Sequence, residues 1–191
     1  MATATLQKHV ALKWDKPFYY QAVETGLFDG RHIDLTEGEI IEMSPMGSLH
    51  ASAIMLAEDA LRAAFASDQY RIRVQMDFDI PGDTMLEPDI AVVLGKPRDF
   101  RQAHPRYADL IVEVAESSLG FDRNVKAKLY ARSGVPEYWI VNLVDGNLEI
   151  YRSPSANAPH AYTQTAVIGP DDTVIPIGAP DAAITVADLL P

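Results

Sequence analysis

Two stretches, EPDIAVVL at 87–94 and ADLIVEVA at 108–115, are nearly unbroken runs of Val, Ile, Leu and Ala, and each carries acids set among the apolar residues. Such runs fit strands buried on both faces of a sheet, which needs helices on either side of it. The chain supplies them. SLHASAIMLAEDALRAAFAS, residues 48–67, places Leu49, Ala53, Leu56, Ala60, Ala63 and Ala64 at helical spacing in an Ala-rich background. After the second run, Asp122 reads as the N-cap of a helix with body RNVKAKLYARS, stopped by Gly134 with Pro136 beyond.

The remaining segments fill in around this centre. Asp15 caps an expected helix running to about Phe28, with Pro17 in its first turn. RHIDL and GEIIEM read as strands joined at Glu37-Gly38, and Ser44-Pro45-Met46-Gly47 ends the second. YRIRVQMDFDI, residues 70–80, alternates as one strand. EYWIVN and NLEIYR form a hairpin across Asp145-Gly146. Residues 153–160 read as a loop, AYTQTAVI as a late strand, and ITVADLLP as a short closing helix. The expected class is α/β or α+β, a mixed central sheet flanked by helices. One domain over residues 15–191 follows a loose leader, residues 1–14.

Composition removes several chemistries. The 191 residues include no cysteine, so disulfides, thiolate catalysis and Cys-based metal sites are excluded. His9, His32, His104 and His160 lack zinc-ligand spacing, and there is no P-loop, Gly-x-Gly-x-x-Gly or Gly-x-Ser-x-Gly motif, so no nucleotide cofactor is expected. No run approaches the roughly 18 apolar residues of a membrane span. The start lacks an apolar signal core, which fits a cytoplasmic setting. A net charge of −11 counts against a broad Lys/Arg surface for nucleic acid.

The chemistry centres on the acids in the two apolar runs. Asp89 and Glu113 are costly in buried strands unless paired or bound to a metal. On consecutive core strands they can face one another, and carboxylates are natural ligands of Mg²⁺ or Mn²⁺. Lys126, on the following helix, can stabilise hydroxide or charge on a phosphate. A structural reading stands beside this one: a strand-end Asp can cap a turn, a strand Glu can pair with Arg, and a helix Lys can be solvated.

The strings GEIIEMSPMGSLH, EPDIAVV, LIVEVAESS and DRNVKAKLYARSGVPEYWIVN, in this order, resemble the Uma2 family of restriction-endonuclease-like proteins in the PD-(D/E)xK nuclease superfamily. The resemblance covers about residues 15–152 and extends weakly to ITVADLL. It implies a restriction-endonuclease-like core and metal-dependent hydrolysis of DNA phosphodiesters. Asp89 matches the aspartate of the PD pair and Glu113 the second acid, the two implied holders of Mg²⁺ or Mn²⁺. Ala115 stands where the superfamily lysine would be, and the resemblance moves that role to Lys126, with Lys128 as a fallback. It also singles out Glu39, His50 and, more weakly, Gln75 as supporting residues.

The expected function is therefore a Mg²⁺-dependent DNA endonuclease, and cutting both strands of a duplex suits a homodimer. Two other readings stay open. One is a nuclease-fold module without catalysis, which binds DNA or protein. The other is hydrolysis of RNA or another phosphodiester.

Overall fold

Asp15 accepts a hydrogen bond from the Phe18 amide at 2.8 Å and opens α1 (Lys16–Glu24). This computed structural model describes residues 11–155 and 161–191. Most of the expected leader, the end of the loop at 153–160, His9 and His160 lie outside those residues. Trp14, placed in the leader by its sequence, donates its amide to the Gly38 carbonyl at 2.9 Å and stacks on Phe18.

β1 (Ile33–Thr36) and β2 (Glu39–Glu42) pair antiparallel through Glu37-Gly38, both at positive φ. That is the backbone a tight two-residue hairpin turn demands. α2 (Ser48–Ala64) then buries Ala53, Ile54, Ala57 and Leu61 on one stripe. The single strand expected over 70–80 is instead β3 (Tyr70–Val74) and β4 (Phe78–Ile80). Gln75 parts them at φ +47°, a left-handed conformation that a regular strand cannot contain. β5 (Thr84–Leu86) follows, unforeseen in the sequence because three residues are too short for a period to register.

β6 (Ile90–Leu94) and β7 (Leu110–Ala115) are the two apolar runs, buried along nearly their whole length. The next helix starts earlier than its sequence implies. α3 (Leu119–Phe121) passes through a π-helical turn, Asp122–Lys126, into α4 (Ala127–Arg132). Asp122 is thus inside the helix and caps nothing. Gly134, at φ +78°, ends it. β8 (Glu137–Asn142), β9 (Asn147–Pro154), β10 (Tyr162–Ile168), β11 (Thr173–Val174) and β12 (Ile184–Thr185) complete the strands, and a 3₁₀ turn, Val186–Leu189, stands where the closing helix was expected.

The expected mixed central sheet has six strands, ordered β10-β9-β8-β7-β6-β3. Its one parallel pair is β7–β8, and the α3–α4 helix makes the crossover a parallel pair requires. A second sheet, ordered β2-β1-β5-β4, carries α1 on a small cluster of Tyr19, Leu35 and Met85. No helix among the described residues is long and apolar enough to cross a membrane.

Alternation along the central strands sorts their side chains into two cores. Ile90, Val92, Leu110, Val112 and Val114 pack with the α2 stripe. Ala91, Val93, Ile111 and Ala115 pack with Ala127, Leu129 and Tyr130 of α4 on the other face. Glu113 lies between Ile111 and Ala115 in that alternation, and Asp89 continues the row of Ala91 and Val93. Both acids therefore belong to the α4 face.

One carboxylate ties the small sheet to α1 and to the loop that precedes β7. Asp79 on β4 takes an ion pair from Lys16 and a second from Arg106 Nε at 2.6 Å. Burial alone would push this carboxyl up, but the hydrogen bonds from Lys16 and Arg106 hold it below the usual range. Asp79→Ala is expected to cost about 1–2 kcal/mol. A depressed carboxyl contributes stability that is complete above the ordinary pKa of about 4 and is lost as the pH falls below it. Urea melts of both proteins at pH 7 and pH 3 check this: the difference should shrink at pH 3.

Candidate active site

Antiparallel pairing sets Ile90 against Val112, which brings Asp89, one residue before β6, beside Glu113. The Asp89 amide lies 3.4 Å from Glu113 Oε2, and the Val114 amide donates to Asp89 Oδ2 at 2.8 Å. Two acids on one face of one sheet are thus fixed by backbone, not by flexible side chains.

The crossover helix then delivers a cation. Lys126 Nζ lies 2.9 Å from Glu113 Oε1 and 3.8 Å from Asp122 Oδ1, and is 3 % exposed. One turn on, the Tyr130 hydroxyl donates to the same Glu113 oxygen at 2.6 Å. Lys128 points to solvent, as expected for a residue two positions along a helix. From the opposite layer, the start of α2 sends His50 Nε2 to within 3.2 Å of Asp89 Oδ1.

The charges follow from this geometry. Burial pushes the Glu113 carboxyl up to about 8, aided by Asp89 and Asp122 and opposed by Lys126. Burial would lower the Lys126 ammonium, yet Glu113, Asp34, Asp122 and Asp89 together raise it above its ordinary value. Burial also works against an ionised Asp89, but His50, Lys126 and the Val114 amide outweigh it and hold that carboxyl below the usual range. The bond to Asp89 in turn raises His50.

Some of these groups line a pocket of about 300 Å³. Asp89, Glu113, Lys126 and His50 line it together with Gln75, and β2 with the following loop contributes residues 41–47. Glu39 is exposed at the start of β2 and lies outside this lining. The carboxylate that β2 contributes is Glu42. Lys126 is the one Lys or Arg among the lining residues.

Besides Glu42, sequence reasoning missed two buried acids. Asp122 looked like a helix cap, but it is 1 % exposed in the π-helical turn and accepts the Ser118 hydroxyl at 2.6 Å. Its four-residue spacing from Lys126 was the available signal. Asp34, in β1, is also 1 % exposed and accepts the Glu87 amide at 2.9 Å. Its place in an alternating strand looked the same as that of a solvent-facing residue.

Among the described residues, no three His, Asp or Glu side chains converge as a closed metal cage. Asp89 and Glu113 nonetheless fit the habit of Mg²⁺, which binds through one or two carboxylates and completes its shell with water and phosphate oxygens. The pocket gives both the space to enter.

Residues 19–187 match the model of the Uma2 family, described as "Putative restriction endonuclease". Among solved structures, the fold is similar to that of "a putative nuclease belonging to DUF820" from Anabaena variabilis. The TM-score is 0.67 at 17 % identity, covering 83 % of this chain and 89 % of that one. No curated protein matches the chain.

Proposed function

Because the chain belongs to the Uma2 family, we propose that it is a nuclease that hydrolyses DNA phosphodiesters with a divalent cation held by Asp89 and Glu113. The observation that carries this reading is the triad itself: two acids on one sheet face and a buried ammonium 2.9 Å from one of them, at a pocket. A bound Mg²⁺ or Mn²⁺ would supply charge neutralisation and lower the pKa of a water.

The protein's own groups then have definite parts. Asp89 and Glu113 present oxygens from a rigid backbone, so the scissile phosphate is positioned without ordering a loop. The acids around Lys126 favour its ammonium form, so it donates hydrogen bonds and offsets charge on the phosphoryl oxygens instead of taking a proton. Tyr130 fixes Glu113, and His50 fixes Asp89. Water adds to phosphorus and releases one proton to solvent, the P–O bond to the leaving sugar oxygen breaks, and that oxygen takes up one proton from solvent, so the protons balance.

The acidic lining, with Glu42, Glu87 and Glu116, repels a phosphate until a cation is in place. Activity should therefore vanish in EDTA. The test is incubation of plasmid, single-stranded DNA and RNA with Mg²⁺, Mn²⁺ or EDTA, beside Asp89→Ala. Cation-dependent cleavage that Asp89→Ala loses supports the reading, and RNA cleavage alone would change the substrate. Cleavage by Asp89→Ala at the wild-type rate would remove Asp89 from the site. A fold without cleavage or cation binding would be a binding module.

A further inference from the structure

The two oxygens of Asp122 are treated unequally. Oδ2 accepts the Ser118 hydroxyl, whereas Oδ1 is buried with no hydrogen-bond partner. The cation it faces, Lys126 Nζ, is 3.8 Å away, beyond hydrogen-bonding distance, because Lys126 gives its short contact to Glu113. A buried acceptor left short of a donor is costly and calls for a reason. Asp122 and Lys126 are the first and last residues of the π-helical turn, a widened turn of the kind that recurs at functional sites. Asp34 also has an unpartnered buried oxygen, Oδ2, and attracts Lys126 at least as strongly, but among the described residues only Glu113 and Asp122 lie within ion-pairing distance of the ammonium.

We propose that Asp122 is a positioning residue: it is the second seat of the Lys126 ammonium, occupied when a divalent cation claims Glu113. The inference rests on the cation reading given above. An ammonium and a divalent cation on the same carboxylate repel one another strongly in a buried site. A shift of roughly 1 Å would carry Nζ off Glu113 and into hydrogen-bonding distance of Asp122 Oδ1. The orphaned acceptor is then satisfied, and the amine stays at the pocket, ready for a phosphate. Asp122 touches neither cation nor substrate in this scheme. It acts through Lys126.

Calorimetric titration of Mn²⁺ into cation-stripped protein tests this without any need for a cleavable substrate. Asp122→Asn is expected to weaken Mn²⁺ binding about tenfold, a usual size for coupling within one ion-pair network. Glu116→Gln, which removes an exposed charge from the pocket lining, should weaken it by no more than about threefold. The double variant Asp122→Asn/Lys126→Met should recover wild-type affinity, because the amine that lost its seat is gone. Melting curves in EDTA check that each variant folds, and Asp122→Ser repeats the test should the asparagine fail to fold. Equal losses in Asp122→Asn and Glu116→Gln would reduce Asp122 to one charge among several and overturn the inference. A loss that Lys126→Met does not rescue would overturn it too, by making Asp122 a ligand or a scaffold. A wild-type protein that binds no Mn²⁺ would overturn the cation reading beneath it, which is a separate failure.

Discussion

Replacing Lys126 by methionine is expected to lower the melting temperature in EDTA by about 10–15 °C at pH 9, above the value of about 8 to which burial raises Glu113, and by less at pH 6, where that carboxyl is neutral. The ammonium is 3 % exposed and faces Glu113 and Asp122, which are 2 % and 1 % exposed. Without it, two acids stay buried with no cation between them. Removing one partner of such a group costs about 3–5 kcal/mol. For a chain of this size each kcal/mol is worth about 2–4 °C. Mn²⁺ should restore much of the loss, since it would replace the missing positive charge. Lys128→Met is the contrast, because Lys128 is exposed and should melt within about 1 °C of wild type. A small drop for Lys126→Met at pH 9, under about 3 °C, would mean that the native acids are already neutral.

Glu113→Gln is expected to separate chemistry from stability. The amide keeps the volume, and its oxygen still accepts from Tyr130 and Lys126. Burial already disfavours the charge on Glu113, so losing that charge costs the fold little. The melting temperature should stay within about 3 °C of wild type. Cation-dependent cleavage should fall by about 10³ or more, because a charge that stabilises the transition state is worth several kcal/mol. Rates on a cleavable DNA and Mn²⁺ titration check both halves. Full cleavage by Glu113→Gln would exclude Glu113 as a cation holder.

What was legible in the sequence was what burial and turn chemistry write strongly. The runs around Asp89 and Glu113 announced central strands, and the acids inside them marked a candidate site, because a buried charge is costly unless paired or bound to a metal. Glu37-Gly38 and Asp145-Gly146 announced their hairpins. Lys126 was a candidate from its place on the helix after Glu113, and the family resemblance gave it the lysine role, but its burial could not be read from its helix alone. The failures have physical causes. Residues 70–80 alternate without interruption, so nothing in their pattern reveals the left-handed turn at Gln75 that moves the chain from one sheet to the other. Asp122 has the composition of a cap, and only the three residues of α3 ahead of it turn it inward. Glu39 and Glu42 both sit on β2, three residues apart, and only the position of the pocket decides that Glu42 lines it.

Besides the connection through α2, the chain crosses between its two larger sheets at Gln75 and again at Glu87-Pro88-Asp89, and both of these short crossings touch the pocket. Glu113, Lys126 and Tyr130 all come from the large sheet and its crossover helix, whereas Ile41, Glu42 and Met43 come from the small one. The candidate catalytic groups and the rim at residues 41–43 thereby stand on separate frames. Exchanging the uncharged residues along 41–47 would be expected to reshape the rim of the pocket while leaving Asp89, Glu113 and Lys126 in place.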